Sequence, residues 1–357
     1  MNETVIPGGV TYPANAYNPH VKSYPDYPGM KTPYIFLDYL LGMLLLFCML
    51  VGIPGNILGL RFFYSKTRAA PDRVTLLYIF ICSTDTLTSI THLPVTIAMF
   101  RGRQPGVFNH LLFCALWEVL YTILQKISIF LVLLISTSRT IAILKPLYKI
   151  RIRTVIYSVV GYLMLLVLIP VVQSAAPRLR GEFKYSWDGA YCYYNFERKF
   201  EHAINLVLVG VPPILTFINL LLSVSSLFAA ESRRSRMKSP KTKTRIAEAW
   251  KYEASITIVM FTSLFLLCNI PLFINLLHNM TTTFFGVEYP GVYFSTRFMF
   301  WYSWHIAKME SVVVNAALNP LLYYSRMKSF RTWSRQVLTY RTLIKDDDES
   351  RAGFVIR

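Results

Sequence analysis

The chain has 357 residues, 54% of them hydrophobic, 15% aromatic and only 16% charged, with a mean hydropathy of +0.40. That is too apolar and too poor in charge for a soluble domain of this length. The formal charge of +18 would suit a nucleic-acid binder, but most basic residues sit in short segments between apolar runs. That placement argues against one basic face on a soluble domain and fits the positive-inside rule of membrane proteins.

Residues 1–33 are rich in Pro, Tyr, Asn and Gly and read as a disordered tail. No basic stretch leads into an apolar one there, so no signal peptide is expected. Asn2-Glu3-Thr4 is a glycosylation acceptor if this end is extracellular. Seven apolar runs follow, near 34–63, 74–100, 111–144, 154–176, 203–230, 252–278 and 299–324. Each can cross a hydrocarbon core of about 30 Å, which takes about 20 helical residues.

Loop charge sets the orientation. Lys66, Arg68 and Arg73 follow the first run, and Lys145, Lys149, Arg151 and Arg153 the third. A basic cluster from Arg233 to Arg245 follows the fifth, and Arg326, Lys328, Arg331 and Arg335 follow the seventh. The N-terminus is therefore expected outside and the C-terminus inside. Asn279-Met280-Thr281 then falls in an outer loop. No internal repeat suggests a transporter built from inverted halves, and no filter-like glycine loop suggests a channel. Of the five cysteines, Cys48, Cys82 and Cys268 lie within apolar runs, whereas Cys114 and Cys192 lie at run edges and could pair.

Polar residues inside the runs are costly and mark function. The first run holds Gly55-Asn56 and the second Asp85, the only acidic residue in its run. On the third, Tyr121, Gln125, Ser128 and Arg139 fall near one helical stripe at about 100° per residue, with Glu118 about 60° off it. Pro170 marks the fourth run, and Pro212 and Pro213 the fifth. The sixth holds Phe265-Leu266-Leu267-Cys268-Asn269-Ile270-Pro271. The seventh holds Asn315 and then Asn319-Pro320-Leu321-Leu322-Tyr323. Proline bends such a helix and frees backbone groups that need polar partners in lipid.

These marks, in this order, resemble those of rhodopsin-like G-protein-coupled receptors over residues 34–338. Asn319-Pro320-Leu321-Leu322-Tyr323 resembles the Asn-Pro-x-x-Tyr motif of the seventh helix. Ser138-Arg139-Thr140, with Ile141 to Leu147, resembles Asp-Arg-Tyr-x-Ala-Ile-x-x-Pro-Leu, and Phe265 to Pro271 resembles Phe-x-x-x-Cys-Trp-x-Pro. The chain departs from the pattern at Ser138, at Asn269 and in lacking a fourth-helix tryptophan. The resemblance implies an all-α membrane protein: a seven-transmembrane helix bundle with a short amphipathic eighth helix around Phe330. It divides the chain into an extracellular tail (1–33), the receptor domain (34–338) and a cytoplasmic tail (339–357).

The resemblance further implies a Cys114–Cys192 disulfide tying down the loop that carries Trp187 and Tyr193. Lid packing and ligand contact are both open readings of that aromatic loop. Asp85, Ser128, Asn315 and Asn319 match a buried sodium site, the alternative being a hydrated polar network; no other cofactor is expected. Arg139 and Leu147 match G-protein contacts, and Phe265, Pro271, Pro320 and Tyr323 match switch positions. Ser138 cannot form the family's local carboxylate–arginine pair, so any clamp on Arg139 must be weak or built otherwise.

The outer pocket is expected to involve His92, Glu118, Tyr121, Gln125, Asn269, His305 and Glu310. Tyr121 stands where amine receptors carry an aspartate, and Val313 where opsins carry the retinal lysine, so neither ligand class is expected. The expected function is reception of an extracellular neuropeptide, most like the invertebrate FMRFamide/myosuppressin-like receptors, with activation of a heterotrimeric G protein. The alternative is a chemosensory receptor for small molecules. No enzyme is expected, since neither Gly-x-Ser-x-Gly nor His-Glu-x-x-His occurs. The expected partners are a peptide, a heterotrimeric G protein and the lipids of the plasma membrane, with no nucleic acid.

Overall fold

A computed structural model describes the backbone of residues 4–5, 11–12, 31–100, 111–144, 151–175, 182–185, 192–195, 203–236, 242–285, 296–337 and 339. Near the N-terminus Thr4–Val5 (β1) pairs antiparallel with Thr11–Tyr12 (β2), within the stretch expected as a tail. Helix α1, Lys31–Ala69, starts a few residues ahead of the first apolar run and ends on Lys66 and Arg68. Cations at a helix C-terminus suit the macrodipole.

The second apolar run becomes two helices, α2 (Arg73–Thr91) and α3 (Leu93–Phe100). Asp72 caps α2 by accepting from the Thr75 backbone N–H at 3.4 Å. The break falls at His92, where Pro94 can donate nothing to the turn before it. The third and fourth runs form α4 (Leu111–Leu144) and α5 (Ile152–Ala175). An antiparallel ribbon follows, Glu182–Tyr185 (β3) against Cys192–Asn195 (β4), with Tyr185 opposite Cys192.

The fifth run opens on a π turn, Leu206–Gly210, and continues as α6, Val211–Arg236. The sixth is α7 (Thr242–Cys268) and α8 (Ile270–Phe285), divided at Asn269 just ahead of Pro271. Helix α7 thus begins well before the apolar run, within the basic segment. Helix α8 runs through residues 279–281, so the second Asn-x-Thr triplet is helical and not in a loop. The seventh run is α9, Thr296–Arg326, with Pro320 inside it. A short helix over 328–337, α10, follows the single break at Met327.

Among the described residues five spans are long and apolar enough to cross a membrane: Tyr39–Ala69, Arg73–Ile97, Val119–Ala142, Ile152–Ile169 and Ala203–Ala229. Ser255–Cys268 is a shorter apolar stretch in the sixth rod. Helix α4 is central, packing on α2, α5, α6 and α7, while α9 joins α1, α2, α7 and α8. The outward faces stay apolar: Phe47 and Leu50 on α1, Tyr157 and Met164 on α5, Phe217 and Leu221 on α6 are all exposed. A bilayer covers such faces, and only helices with internally satisfied backbones can stand there.

Candidate functional site

Polar side chains run through the bundle between its two ends. The ribbon lies between α5 and α6 in the chain, hence at the end opposite Arg139. At mid-depth, Pro320 lacks the N–H that would bond the Ala316 carbonyl. Asn56 Nδ2 donates to that carbonyl at 2.9 Å. Close approach of α1 and α9 makes this reach short. A Cβ on Gly55 would stand 2.5 Å from Pro320 Cβ, and one on Gly52 would stand 3.2 Å from Ala317 Cα.

Beside this contact, Asn319 Nδ2 donates to Asp85 Oδ2 at 2.7 Å. Asp85, Ser128, Asn315 and Asn319 are all buried. The Oδ1 atoms of Asn315 and Asn319 have no donor among the described residues. A carboxylate with unpartnered buried carbonyl oxygens is a donor set that fits a small hard cation, which also supplies the counter-charge. No cluster of three His, Cys, Asp or Glu residues that could hold a metal ion occurs among the described residues.

Toward the ribbon end, the α2–α3 break builds a second cluster. The imidazole Nδ1 of His92 lies 2.8 Å from the Thr88 carbonyl, which turns the ring back along its helix. Trp117 on α4 donates its indole N–H to the Thr91 carbonyl at 2.7 Å. Trp117 also stacks on Tyr121, with centroids 5.4 Å apart and planes 5° apart. Tyr121 meets the edge of His92 at 5.3 Å, and its hydroxyl accepts from Gln125 Nε2 at 3.3 Å. The structure therefore brings His92, Tyr121 and Gln125 together. Trp117 joins them, a residue whose only sequence signal is its place one helical turn before Tyr121.

The proline-marked spans are held by related contacts. Asn269 donates from its side-chain amide to the Phe265 carbonyl at 2.8 Å, and its own carbonyl accepts from Phe273 at 3.1 Å. The Phe265 carbonyl thus accepts both the backbone and the side-chain N–H of Asn269. Phe265 is buried beneath it and Pro271 half-buried above. On the fifth span Pro212 cannot donate to the Leu208 carbonyl. The Tyr162 hydroxyl of α5 donates there instead, at 3.4 Å, while its ring stacks on Phe130 at 4.0 Å.

At the far end, Arg139 on α4 donates to the Ser255 hydroxyl on α7. Ser138 bonds the Ile135 carbonyl of its own helix at 2.9 Å. Arg139 thus bonds a residue of another helix, while the Ser138 hydroxyl turns back to its own. Tyr323 is buried among Phe63 and Tyr78, both at 5.4 Å, and Phe330 at 6.3 Å. Phe330 of α10 also meets Phe62 at 5.2 Å, and Trp333 meets Phe62 at 5.4 Å, so the short helix docks on α1. Glu310 is buried on α9, beyond Asn315 toward the ribbon end. Asn2, Leu147 and Trp187, and the side chains of Cys114, Glu118, Cys192, Tyr193 and His305, lie outside the described residues. Strand β4, which begins at Cys192, packs against α4, which carries Cys114.

The 7 transmembrane receptor (rhodopsin family) model matches residues 55–323, well over half of the chain. Among solved structures the chain is similar to squid rhodopsin at 19% identity, covering 91% of this chain and 91% of that one with a TM-score of 0.62. No curated protein sequence matches it. The rods, their proline breaks and the family match agree, and the chain belongs to the rhodopsin family of seven-transmembrane receptors.

Proposed function

We propose that this receptor responds to an extracellular neuropeptide at the ribbon end and signals through the Arg139 end. As a member of its family it is a multi-pass membrane receptor, not an enzyme, and its signalling partner is a heterotrimeric G protein. The peptide reading rests chiefly on the β3–β4 ribbon packed beside α4. Among the described residues no third strand pairs with the ribbon, and an extended peptide can add to an open strand edge through main-chain hydrogen bonds. The aromatic and amide surfaces of Tyr121, Trp117 and Gln125 offer side-chain recognition below it. Glu118, Trp187, Tyr193, His305 and Glu310 complete the pocket in this reading. Tyr121 in place of an aspartate, and Val313 in place of a lysine, support a ligand that is neither a simple amine nor retinal.

In the same reading the receptor resides in the plasma membrane with its N-terminus outside, glycosylated at Asn2 and bridged from Cys114 to Cys192. Asp85, Ser128, Asn315 and Asn319 would hold a sodium ion, which supplies charge balance to the buried carboxylate. The test is a G-protein activation screen with a library of amidated peptides and a matched panel of small odorants. Activation by a peptide at submicromolar concentration supports the reading. Activation by odorants alone would move the protein to the chemosensory class.

A further inference from the structure

We propose that Asn219 is a positioning residue of the coupling end, latching α6 to α4 in the arrangement that keeps Arg139 tied to α7. The inference rests on the family's G-protein coupling and not on the identity of the ligand. Asn219 sits in an apolar helix, where an amide has few acceptors of its own. Its Nδ2 group donates to Thr137 Oγ1 at 2.9 Å and to Ser136 Oγ at 3.3 Å. Two amide hydrogens thus meet two hydroxyls on one helix. The backbone carbonyl of Asn219 accepts in turn from Thr140 Oγ1 at 3.4 Å. Three hydroxyls of α4, at 136, 137 and 140, converge on one residue of α6, within a turn of Arg139.

Arg139 is bonded across the bundle to Ser255 of α7. A partner segment entering between α4 and α7 must break that bond and move α7 outward. Helix α6 packs along α7, so the same motion strains the Asn219 contacts. The latch is easily reset from the α4 side, because Ser136 also bonds the Leu133 carbonyl at 2.9 Å and Thr140 the Ser136 carbonyl at 3.1 Å. Only the Asn219 amide loses acceptors when α6 leaves. Interhelical hydrogen bonds of this kind are worth a shift of about threefold in an equilibrium within a membrane. A contact made only in the closed arrangement lowers ligand-free activity by that factor.

The experiment uses the full-length receptor in phospholipid nanodiscs, without ligand, with purified heterotrimers of the Gs, Gi and Gq classes. GTPγS uptake reads basal coupling. Thr137→Val, which removes one of the two donated bonds, is expected to raise it about threefold, and Asn219→Leu, which removes both, by up to about ninefold. Thr137→Ser, which keeps the hydroxyl, stays at the unsubstituted level, and the Leu/Val double variant rises no further than Asn219→Leu alone. Spin labels at Leu144 and Ser225 read the same shift without G protein, as growth of a longer-distance population in Thr137→Val but not in Thr137→Ser. The proposal is overturned if Thr137→Val matches Thr137→Ser in both measurements, or if the double variant multiplies the two single effects. Should Asn219→Leu fail to fold, the near-isosteric Thr137 pair still decides.

Discussion

Asn56 of α1 donates its side-chain amide to the carbonyl of Ala316 on α9, the acceptor that Pro320 leaves without a backbone donor. Residue 316 is four before the proline, which is where an i to i−4 bond is missing. Asn56→Leu leaves that carbonyl buried and unsatisfied, while removing the asparagine's own Oδ1, which has no donor. The opposing terms give a net loss of about 1 kcal/mol. Thermal unfolding in detergent micelles should show a lower midpoint than the unsubstituted receptor, and an unchanged midpoint would remove Asn56 from the hinge.

The two glycines of the first and fourth spans should behave oppositely. An alanine at Gly55 places its methyl 2.5 Å from Pro320, whereas one at Gly161 meets nothing within 4 Å. Overpacking costs about 1–3 kcal/mol, so Gly55→Ala should lower the unfolding midpoint and the yield of folded receptor. Gly161→Ala should match or exceed the unsubstituted protein, since alanine is the better helix former. Equal behaviour of the two would mean that α1 and α9 are not in close contact.

The spans, their order and the marks at Asp85, Arg139 and Asn319 are legible in the sequence because lipid demands long apolar rods and tolerates polar residues only with a reason. What is not legible is pairing between helices. Nothing in the chain order links Arg139 to Ser255 or Asn219 to Thr137, because each pair depends on the relative depth and rotation of separate rods. The break at Asn269 is similar. Pro271 announces it, but that the Asn269 amide turns back to Phe265 follows from local backbone geometry alone.

Sodium sensitivity should depend on Asp85. Asp85→Asn keeps an acceptor for Asn319 and removes the charge, so the polar contact can survive while the cation loses its carboxylate. A bound ion stabilises the folded state by mass action, by about 2.7 kcal/mol at a hundred times its dissociation constant. Sodium chloride should therefore raise the midpoint of the unsubstituted receptor above that in N-methylglucamine chloride of equal ionic strength, and Asp85→Asn should erase the difference. If both proteins respond alike, the four residues hold water and not an ion.

Trp117 should govern agonist response through the α2–α3 break. Trp117→Phe keeps a ring to stack on Tyr121 but deletes the N–H that reaches the Thr91 carbonyl. Loss of one such bond is worth about 1 kcal/mol, or roughly fivefold. Agonist potency in a G-protein assay should fall by that order while basal activity holds. A parallel Tyr121→Phe substitution, which removes the Gln125 acceptor, should change the ranking of agonists rather than lower all potencies equally.

Docking of α10 should control coupling without touching the ligand end. Phe330 is 3% exposed and contacts Phe62, Phe63, Tyr323 and Trp333 within 6.5 Å. Truncating a buried phenylalanine costs about 3–5 kcal/mol, more than a ten-residue amphipathic helix retains without its anchor. Phe330→Ala should release the backbone of 328–337, seen as faster amide hydrogen exchange there and not in α2 or α4. Since Tyr323 loses a ring neighbour on the α10 side, G-protein activation should fall as well, with agonist affinity unchanged. Trp333→Ala, at a half-buried position on the same face, should do less of both. Faster exchange with intact coupling would mean that α10 serves membrane attachment alone and that the ring cage around Tyr323 holds without it.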